Sequence, residues 1–178
     1  MLWFVGAFLG IVIFIASSFS AYAMGCQVYD EAGLFSDDEV TELTAAVDEA
    51  EDKTGWDLML LTVNDASVVS TQDYAEEKFN EYAQSDDGIA FVLDMNARIF
   101  YIATAGETYE YIVDTHLNKM LDQATEYAKS GNYDQAMMSM LKDTVTYYQE
   151  GKPDNLTIYD ALNVFYDLCE DIRTATGA

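Results

Sequence analysis

The fold of this chain depends most on the stretch SDDGIAFVLDMNARIFYIATAGE, residues 85–107. It holds two apolar runs of strand length, GIAFVLD (88–94) and RIFYIAT (98–104), separated by a few residues centred on Met95-Asn96-Ala97. So short a connection between two strands predicts an antiparallel hairpin. An acidic pair, Asp86 and Asp87, stands with Gly88 directly before the first run.

Upstream of the hairpin, the pattern predicts a helix, a strand and a second helix. Ser36-Asp37-Asp38-Glu39 is a capping box, and apolar residues recur after it at helical spacing to about Lys53. WDLMLLTV (56–63) has the length and apolarity of a buried strand, and a further helical stripe starts near Ser70.

Downstream of the hairpin, only helices are expected. One helical stripe runs from Tyr109 to Gly131, another from Tyr133 to Gly151, and a last one covers roughly 155–173. Helix, strand, helix, strand, strand and further helices predict an α/β fold: a three-layer α/β/α sandwich with a small mixed sheet and a C-terminal helical extension.

This topology predicts where the acidic pair lies. A right-handed parallel crossover starts strands 56–63 and 88–94 at the same edge of the sheet, and the hairpin returns there. Asp86, Asp87 and Gly88 should therefore converge on residues 104–107. Several oxygens held close together suit a hard divalent cation. Solvated turn aspartates, one of them in an Asx-turn, are the alternative.

Composition and charge limit the function. The chain has 178 residues, of which 51% are hydrophobic, enough for one core and a single domain. The first 26 residues carry no charged group, so the remainder holds the whole net charge of −24. Such a charge repels nucleic acid and anionic membranes and attracts cations and cationic partners. Acidity that serves only solubility is the alternative.

The N-terminal segment predicts export. Residues 1–25 are interpreted as a signal peptide or an N-terminal membrane anchor, with the folded protein secreted or held at the outer face of the cytoplasmic membrane. Ala21-Tyr22-Ala23 fits a signal-peptidase site, and Met24 makes the sequence before Cys26 a poor lipobox.

The two cysteines, Cys26 and Cys169, flank almost all of the folding chain. An exported protein permits a disulfide between them, which lipidation of Cys26 would forbid. Cys169 also fits a core position, because it lies at helical spacing from apolar neighbours. Catalytic motifs are absent: there is no P-loop, CxxC or nucleophile elbow, and His116, the one histidine, lies near an apolar stripe.

Five segments in order resemble the TPM domain family, named for plant thylakoid-lumen and photosystem-repair proteins and for a nematode receptor modulator. They are VYDEAGLFSDDEVTEL, KTGWDLMLLTV, TQDYAEEKFNEYA, DDGIAFVLDMNARIFYIATAGE and GNYDQAMMSML. The resemblance covers about residues 27–148, which places a TPM-like α/β domain at 26–150 and a C-terminal helix packed on it at 151–178.

The resemblance implies a compact α/β/α sandwich, exported and often membrane-tethered, with an acidic pocket for a divalent cation, Ca²⁺ in preference to Mg²⁺. It carries the metal-ligand role to Asp30, Asp86, Asp87 and Asp114. Asp114 is placed two helical turns beyond Glu107, on the same face. Many bacterial members continue with a transmembrane helix and a glycine-rich tail, which this sequence lacks after the domain.

Two functions follow from the resemblance. The first is a cell-envelope binding, quality-control or accessory module whose partner is a membrane or envelope protein, as the receptor modulator is non-enzymatic. The second is a metal-dependent acid phosphatase acting on phosphomonoesters, as ascribed to plant members, with Thr104, Gly106 and Thr108 forming a phosphate-binding backbone turn. No nucleophile or base stands out for the second, and the net charge of −24 disfavours an anionic substrate.

Overall fold

A computed structural model describes residues 28–153 of the chain. The N-terminal segment 1–25, the cysteine pair Cys26 and Cys169, and the helix expected at 155–173 lie outside the described residues. Within them, no helix combines the length and apolarity that crossing a membrane requires.

The described residues form four strands and five helices. In chain order these are β1 (Val28–Asp30), α1 (Asp37–Thr54), β2 (Asp57–Val63), α2 (Thr71–Tyr82), β3 (Gly88–Asp94), β4 (Ile99–Ala105), α3 (Thr108–Tyr111), α4 (Asp114–Lys129) and α5 (Tyr133–Glu150). The predicted α/β fold class is confirmed.

The strands form one mixed sheet in the order β1-β2-β3-β4. β1, β2 and β3 run parallel, and β4 returns antiparallel beside β3, with Gly88 opposite Ala105 and Asp94 opposite Ile99. The predicted hairpin and the predicted parallel crossover are therefore both present. The sequence pattern did not predict β1, because three residues are too few for an alternating pattern to be recognised.

The ends of α1 follow directly from the sequence. The Ser36 side chain accepts the Glu39 N–H, and Glu39 Oε2 accepts the Ser36 N–H at 2.7 Å, which completes the capping box. At the other end Gly55 takes a left-handed conformation with φ +76° and donates its N–H to Glu51 O. This turn leads immediately into Trp56 and β2.

The sheet separates two apolar cores. On one face α1, α4 and α5 cover side chains that include Leu58, Leu60 and Phe91. On the other face α2 covers Met59, Leu61 and Val92. Alternate residues of β2 and β3 thus enter opposite cores, so these central strands are continuously apolar rather than alternating.

The single helix expected from Tyr109 to Gly131 is interrupted. α3 ends at Tyr111, Ile112 leaves the helical conformation, and α4 restarts at Asp114 after Val113 adopts an extended one. Ile112 is 2% exposed and belongs to the first core. The expectation that Asp114 continues the helical face of Glu107 is therefore wrong.

Candidate functional site

The amino edge of the sheet is where β2 and β3 begin and β4 ends. Asp87 precedes β3 at this edge, and Gly106 and Glu107 follow β4. Because Gly88 pairs with Ala105, the two segments lie side by side. The predicted convergence of residues 86–88 on residues 104–107 is confirmed.

Asp87 fastens these two segments together. Its Oδ1 accepts the Glu107 N–H at 2.6 Å, and its carbonyl accepts the Asp57 N–H at 3.0 Å. Gly106 has φ +64°, and a Cβ at this position would lie 1.9 Å from Asp87 Oδ1. Close approach of the carboxylate therefore requires glycine here.

The three residues expected to form a phosphate-binding turn make structural contacts. Thr104 pairs with Ile89 inside the sheet. The Thr108 hydroxyl is fully buried and lies 2.8 Å from Ala105 O and 3.2 Å from Gly88 O, to which it donates. With Gly106 against Asp87, these residues close the end of the hairpin.

An aromatic cluster that the sequence pattern did not reveal supports the amino edge from inside. Trp56 is 2% exposed and meets Tyr111 and Tyr148 edge-on, with ring centroids 5.2 and 5.0 Å away. Its Nε1–H donates to Glu107 Oε1 at 3.2 Å.

Lys152 lies 2.5 Å from Glu110 Oε2 and 5.1 Å from the centre of the Tyr111 ring. The one available signal was Trp56, which directly follows the helix-ending Gly55.

Two further carboxylates at this edge also accept backbone donors. Asp57 Oδ2 accepts the N–H groups of Gln84 and Ser85 at 2.5 and 2.6 Å. Glu51 Oε1 accepts the Leu58 N–H at 2.9 Å. Burial raises the pKa of Glu51 to about 7; the Leu58 N–H opposes this rise, and the charge of Asp57 adds to it.

Asp30 lies at the opposite edge of the sheet. It pairs with Thr62, five residues along β2 from Asp57, so about 17 Å of strand separates it from the amino edge. Its carboxylate accepts the Leu34 N–H at 3.0 Å, the Phe35 N–H at 2.8 Å and the Thr62 hydroxyl. The structure does not bring Asp30 to Asp86 and Asp87.

The four residues expected to hold one cation do not share a site in this structure. Asp86 and Asp114 are both exposed, and Asp114 begins α4 after the helix break. Within residues 28–153 no group of three or more His, Cys, Asp or Glu side chains is arranged to hold a metal ion. The set of four therefore does not fit a single ion, although Asp86 beside Asp87 remains an acidic pair at the surface.

His116 occupies a structural position on α4. Its ring stacks on Tyr147 with centroids 3.8 Å apart, and Nδ1 lies 2.8 Å from Tyr111 O. The half-buried histidine thus joins α4 to α5 and to the end of α3.

The carboxyl edge carries a groove of about 940 Å³ between the hairpin end and the second half of α4. We call it the carboxyl-edge groove; its lining includes Leu93, Met95, Ile99, Phe100 and Leu121, with Arg98 and Lys129 as its two cations. Arg98 adopts φ +59° at the turn, a conformation that glycine or asparagine usually occupies. No sequence pattern indicated this groove.

Solved structures with the same fold come from several bacteria. The N-terminal domain of a protein from P. gingivalis is 16% identical, with TM-score 0.63 over 72% of this chain and 85% of that chain. The BA42 protein of Bizionia argentinensis is 14% identical, with TM-score 0.58 over 67% and 84%. The N-terminal domain of the cg2496 protein of Corynebacterium glutamicum is 13% identical, with TM-score 0.58 over 79% and 90%.

These identities are low enough that the likeness shows the fold alone. No curated protein sequence matches the chain. The model of the TPM domain matches residues 28–147, about two thirds of the chain and nearly all of its described part. On this match, together with the mixed sheet, the chain belongs to the TPM domain family.

Proposed function

We propose that this TPM-domain protein is exported and works at the cell envelope as a non-catalytic binding or accessory module. Its binding surface is the acidic edge, which we define as Asp86, Asp87, Glu107, Tyr109 and Glu110. The partner is a protein segment rich in Lys and Arg. The uncharged N-terminal segment of 26 residues supports export, either as a cleaved leader or as an anchor.

One observation carries this proposal: Tyr109 is 62% exposed at an edge where the neighbouring acids also face water. Asp86 and Glu110 are both exposed, and Lys152 is already paired with Glu110. An exposed tyrosine ring can accept a cation on its face, and tyrosines are enriched where binding energy concentrates. Aromatic and acidic groups together suit a cationic segment.

Among residues 28–153, the same edge has no nucleophile hydrogen-bonded to a base, the pair that many hydrolases use. The carboxylates of Asp57, Asp87 and Glu51 each accept a backbone N–H, and the Thr108 hydroxyl is buried and donates to carbonyls. His116 is stacked on Tyr147. An activated nucleophile needs a base within hydrogen-bond reach, and the contacts of these three carboxylates are with backbone N–H groups and not with a hydroxyl or thiol.

The test is titration of the full chain with a fluorescent lysine-rich peptide at low and at physiological salt. We expect binding that weakens with salt and that Tyr109→Ala and Asp86→Asn each reduce. Glu42→Gln on exposed α1 is the matched control, because it removes the same charge away from the edge. Equal losses of affinity for the peptide in Asp86→Asn and Glu42→Gln would show that only the net charge matters. That result would contradict a specific binding surface.

The phosphatase alternative has its own assay. The full chain is incubated with a generic phosphomonoester in the presence of Ca²⁺, Mg²⁺ or a chelator. We expect no metal-dependent turnover. Turnover that the chelator removes and Asp86→Asn lowers would overturn the non-catalytic interpretation.

A further inference from the structure

β4 is an edge strand without the usual protection. It has seven residues, IFYIATA, without a charge or a proline, and within residues 28–153 it pairs only with β3. Natural proteins avoid leaving such a strand bare, because its free backbone groups would pair with another chain. Charges, proline, a bulge or a covering segment usually protect the edge, and β4 itself supplies no charge or proline.

The apolar surface beside β4 continues the length of the strand. Ile99, at the start of β4, is 44% exposed and lines the carboxyl-edge groove. Half-exposed Phe100 and Ile102 follow it on β4, and half-exposed Leu117 and Leu121 lie one helical turn apart on α4. Because α4 packs along β4, these side chains extend the groove towards the amino edge.

The described chain ends at the amino end of this surface. Lys152, next to the last described residue, contacts Glu110 and lies 3.8 Å from Glu107, directly beyond β4. Residues 154–178, a stretch of 25, follow in the sequence. Their sequence repeats apolar residues at spacings of four and three: Ile158, Leu162, Phe165, Cys169 and Ile172. This spacing predicts a helix with one narrow apolar face.

The length and the charges of the C-terminal segment fit one placement along β4. β4 spans about 20 Å from Ile99 to Ala105, and the 14 helical steps from Asn155 to Cys169 would span about 21 Å. A helix starting at the amino edge would therefore bring Cys169 close to Ile99 and place Asp167, Glu170 and Asp171 near the groove cations. Lys129 already pairs with Glu126, whereas Arg98 has no ion pair among the described residues.

We propose that the C-terminal segment 155–173 docks antiparallel along β4 and fills the carboxyl-edge groove, with its acidic end on Arg98 and Lys129. The segment shields the uncharged edge strand from other chains. The docking does not depend on the acidic edge having a partner.

Disulfide trapping in the full chain tests the proposal. Cys26→Ser leaves Cys169 as the native cysteine, and Ile99→Cys adds an exposed thiol at the groove. Ala103→Cys is the matched control on the same strand and the same face, about 13 Å nearer the amino edge. Within one chain and with an added thiol oxidant, we expect the Ile99→Cys variant to form its disulfide with Cys169 at least about tenfold faster than the Ala103→Cys variant does.

Equal rates in the two variants would overturn the placement, and so would bridges only between two chains, which would identify a second copy as the occupant. Adding Arg98→Glu to the Ile99→Cys variant should slow its disulfide several-fold, and an unchanged rate would contradict the charge pairing. As a second measurement, removing residues 154–178 should speed amide hydrogen exchange in residues 99–105. Unchanged exchange there would also overturn the docking.

Discussion

The two edges of the sheet both carry aspartates, but the two sets face different surroundings. At the carboxyl edge Asp94 is 1% exposed and accepts the Thr71 hydroxyl at 2.7 Å and the Ala97 N–H at 2.8 Å. Asp30, at the same edge, accepts two N–H groups and a hydroxyl. At the amino edge Asp57 accepts two N–H groups and Asp87 one, but Asp86, the neighbour of Asp87, is exposed.

The difference separates two roles that look alike in the sequence. A carboxylate enclosed by backbone donors fixes a loop and has little capacity left for a ligand. A carboxylate at the surface keeps its oxygens for a cation or a basic partner. Asp30 and Asp94 at the carboxyl edge are therefore structural, as Asp57 is at the amino edge, and exposed Asp86 marks the place where binding is expected.

Gly106→Ala at the amino edge should have the greatest effect. A left-handed alanine costs about 1 kcal/mol, and the close approach of its Cβ to Asp87 Oδ1 forces the Asp87–Glu107 contact apart. We expect the free energy of unfolding to fall by about 3 kcal/mol, measured by urea denaturation.

Gly33→Ala at the carboxyl edge is the matched control. Gly33 also has φ +64°, but a Cβ there would meet no atom within 4 Å. The expected loss is therefore only the conformational part, about 1 kcal/mol. Similar losses in the two variants would show that the contact with Asp87 contributes nothing.

Asp30→Ala comes next. It leaves the Leu34 and Phe35 N–H groups and the Thr62 hydroxyl without their acceptor, so we expect a loss of about 2 kcal/mol in the free energy of unfolding. Asp86→Ala, an exposed position at the other edge, should change it by less than about 0.5 kcal/mol. A loss in Asp86→Ala as large as that in Asp30→Ala would contradict the division of roles.

Glu51→Gln tests the pH dependence of the amino edge. Because burial raises the pKa of Glu51 from 4.5 to about 7, the folded state favours the protonated form. This contribution to stability is complete below pH 4.5 and is lost as the pH rises through 7. Glutamine keeps an oxygen for the Leu58 N–H without the charge.

At pH 8 we therefore expect Glu51→Gln to be more stable than the wild type by about 1 kcal/mol, after allowing for solvent screening. At pH 4 the two should unfold at nearly the same urea concentration. Glu42→Gln on the exposed face of α1 is the charge-matched control for both measurements. A variant less stable than the wild type at pH 8 would contradict the raised pKa.

Ca²⁺ should have the weakest effect. A weak site at Asp86 and Asp87 would raise the free energy of unfolding by about 0.4 kcal/mol when the free ion equals its Kd. The melting temperature should rise slightly with Ca²⁺, and Asp86→Asn should abolish the rise. Asp30→Asn should melt at a lower temperature than the wild type at every Ca²⁺ concentration, but its melting temperature should still rise with Ca²⁺. The reverse pattern would place the ion at the carboxyl edge.

Local sequence patterns were enough to define most elements and the convergence at the amino edge. A capping box beginning at Ser36, a left-handed Gly55 and two apolar runs joined by a short turn fix structure over a few residues. The connection rules for parallel strands then bring Asp87 to Glu107 without any knowledge of packing. These features were predictable because the interactions that decide them are close in sequence or follow from chain handedness.

Long-range packing, by contrast, determines which acids meet and which are enclosed. Asp30 reaches the far edge because β1, too short to be recognised, pairs parallel to β2. Asp114 leaves the helical face of Glu107 because burying Ile112 interrupts the helix. The groove at Arg98 arises from packing between the hairpin and α4. In each case the position of a residue depends on contacts between segments distant in sequence. Local sequence patterns do not contain that information.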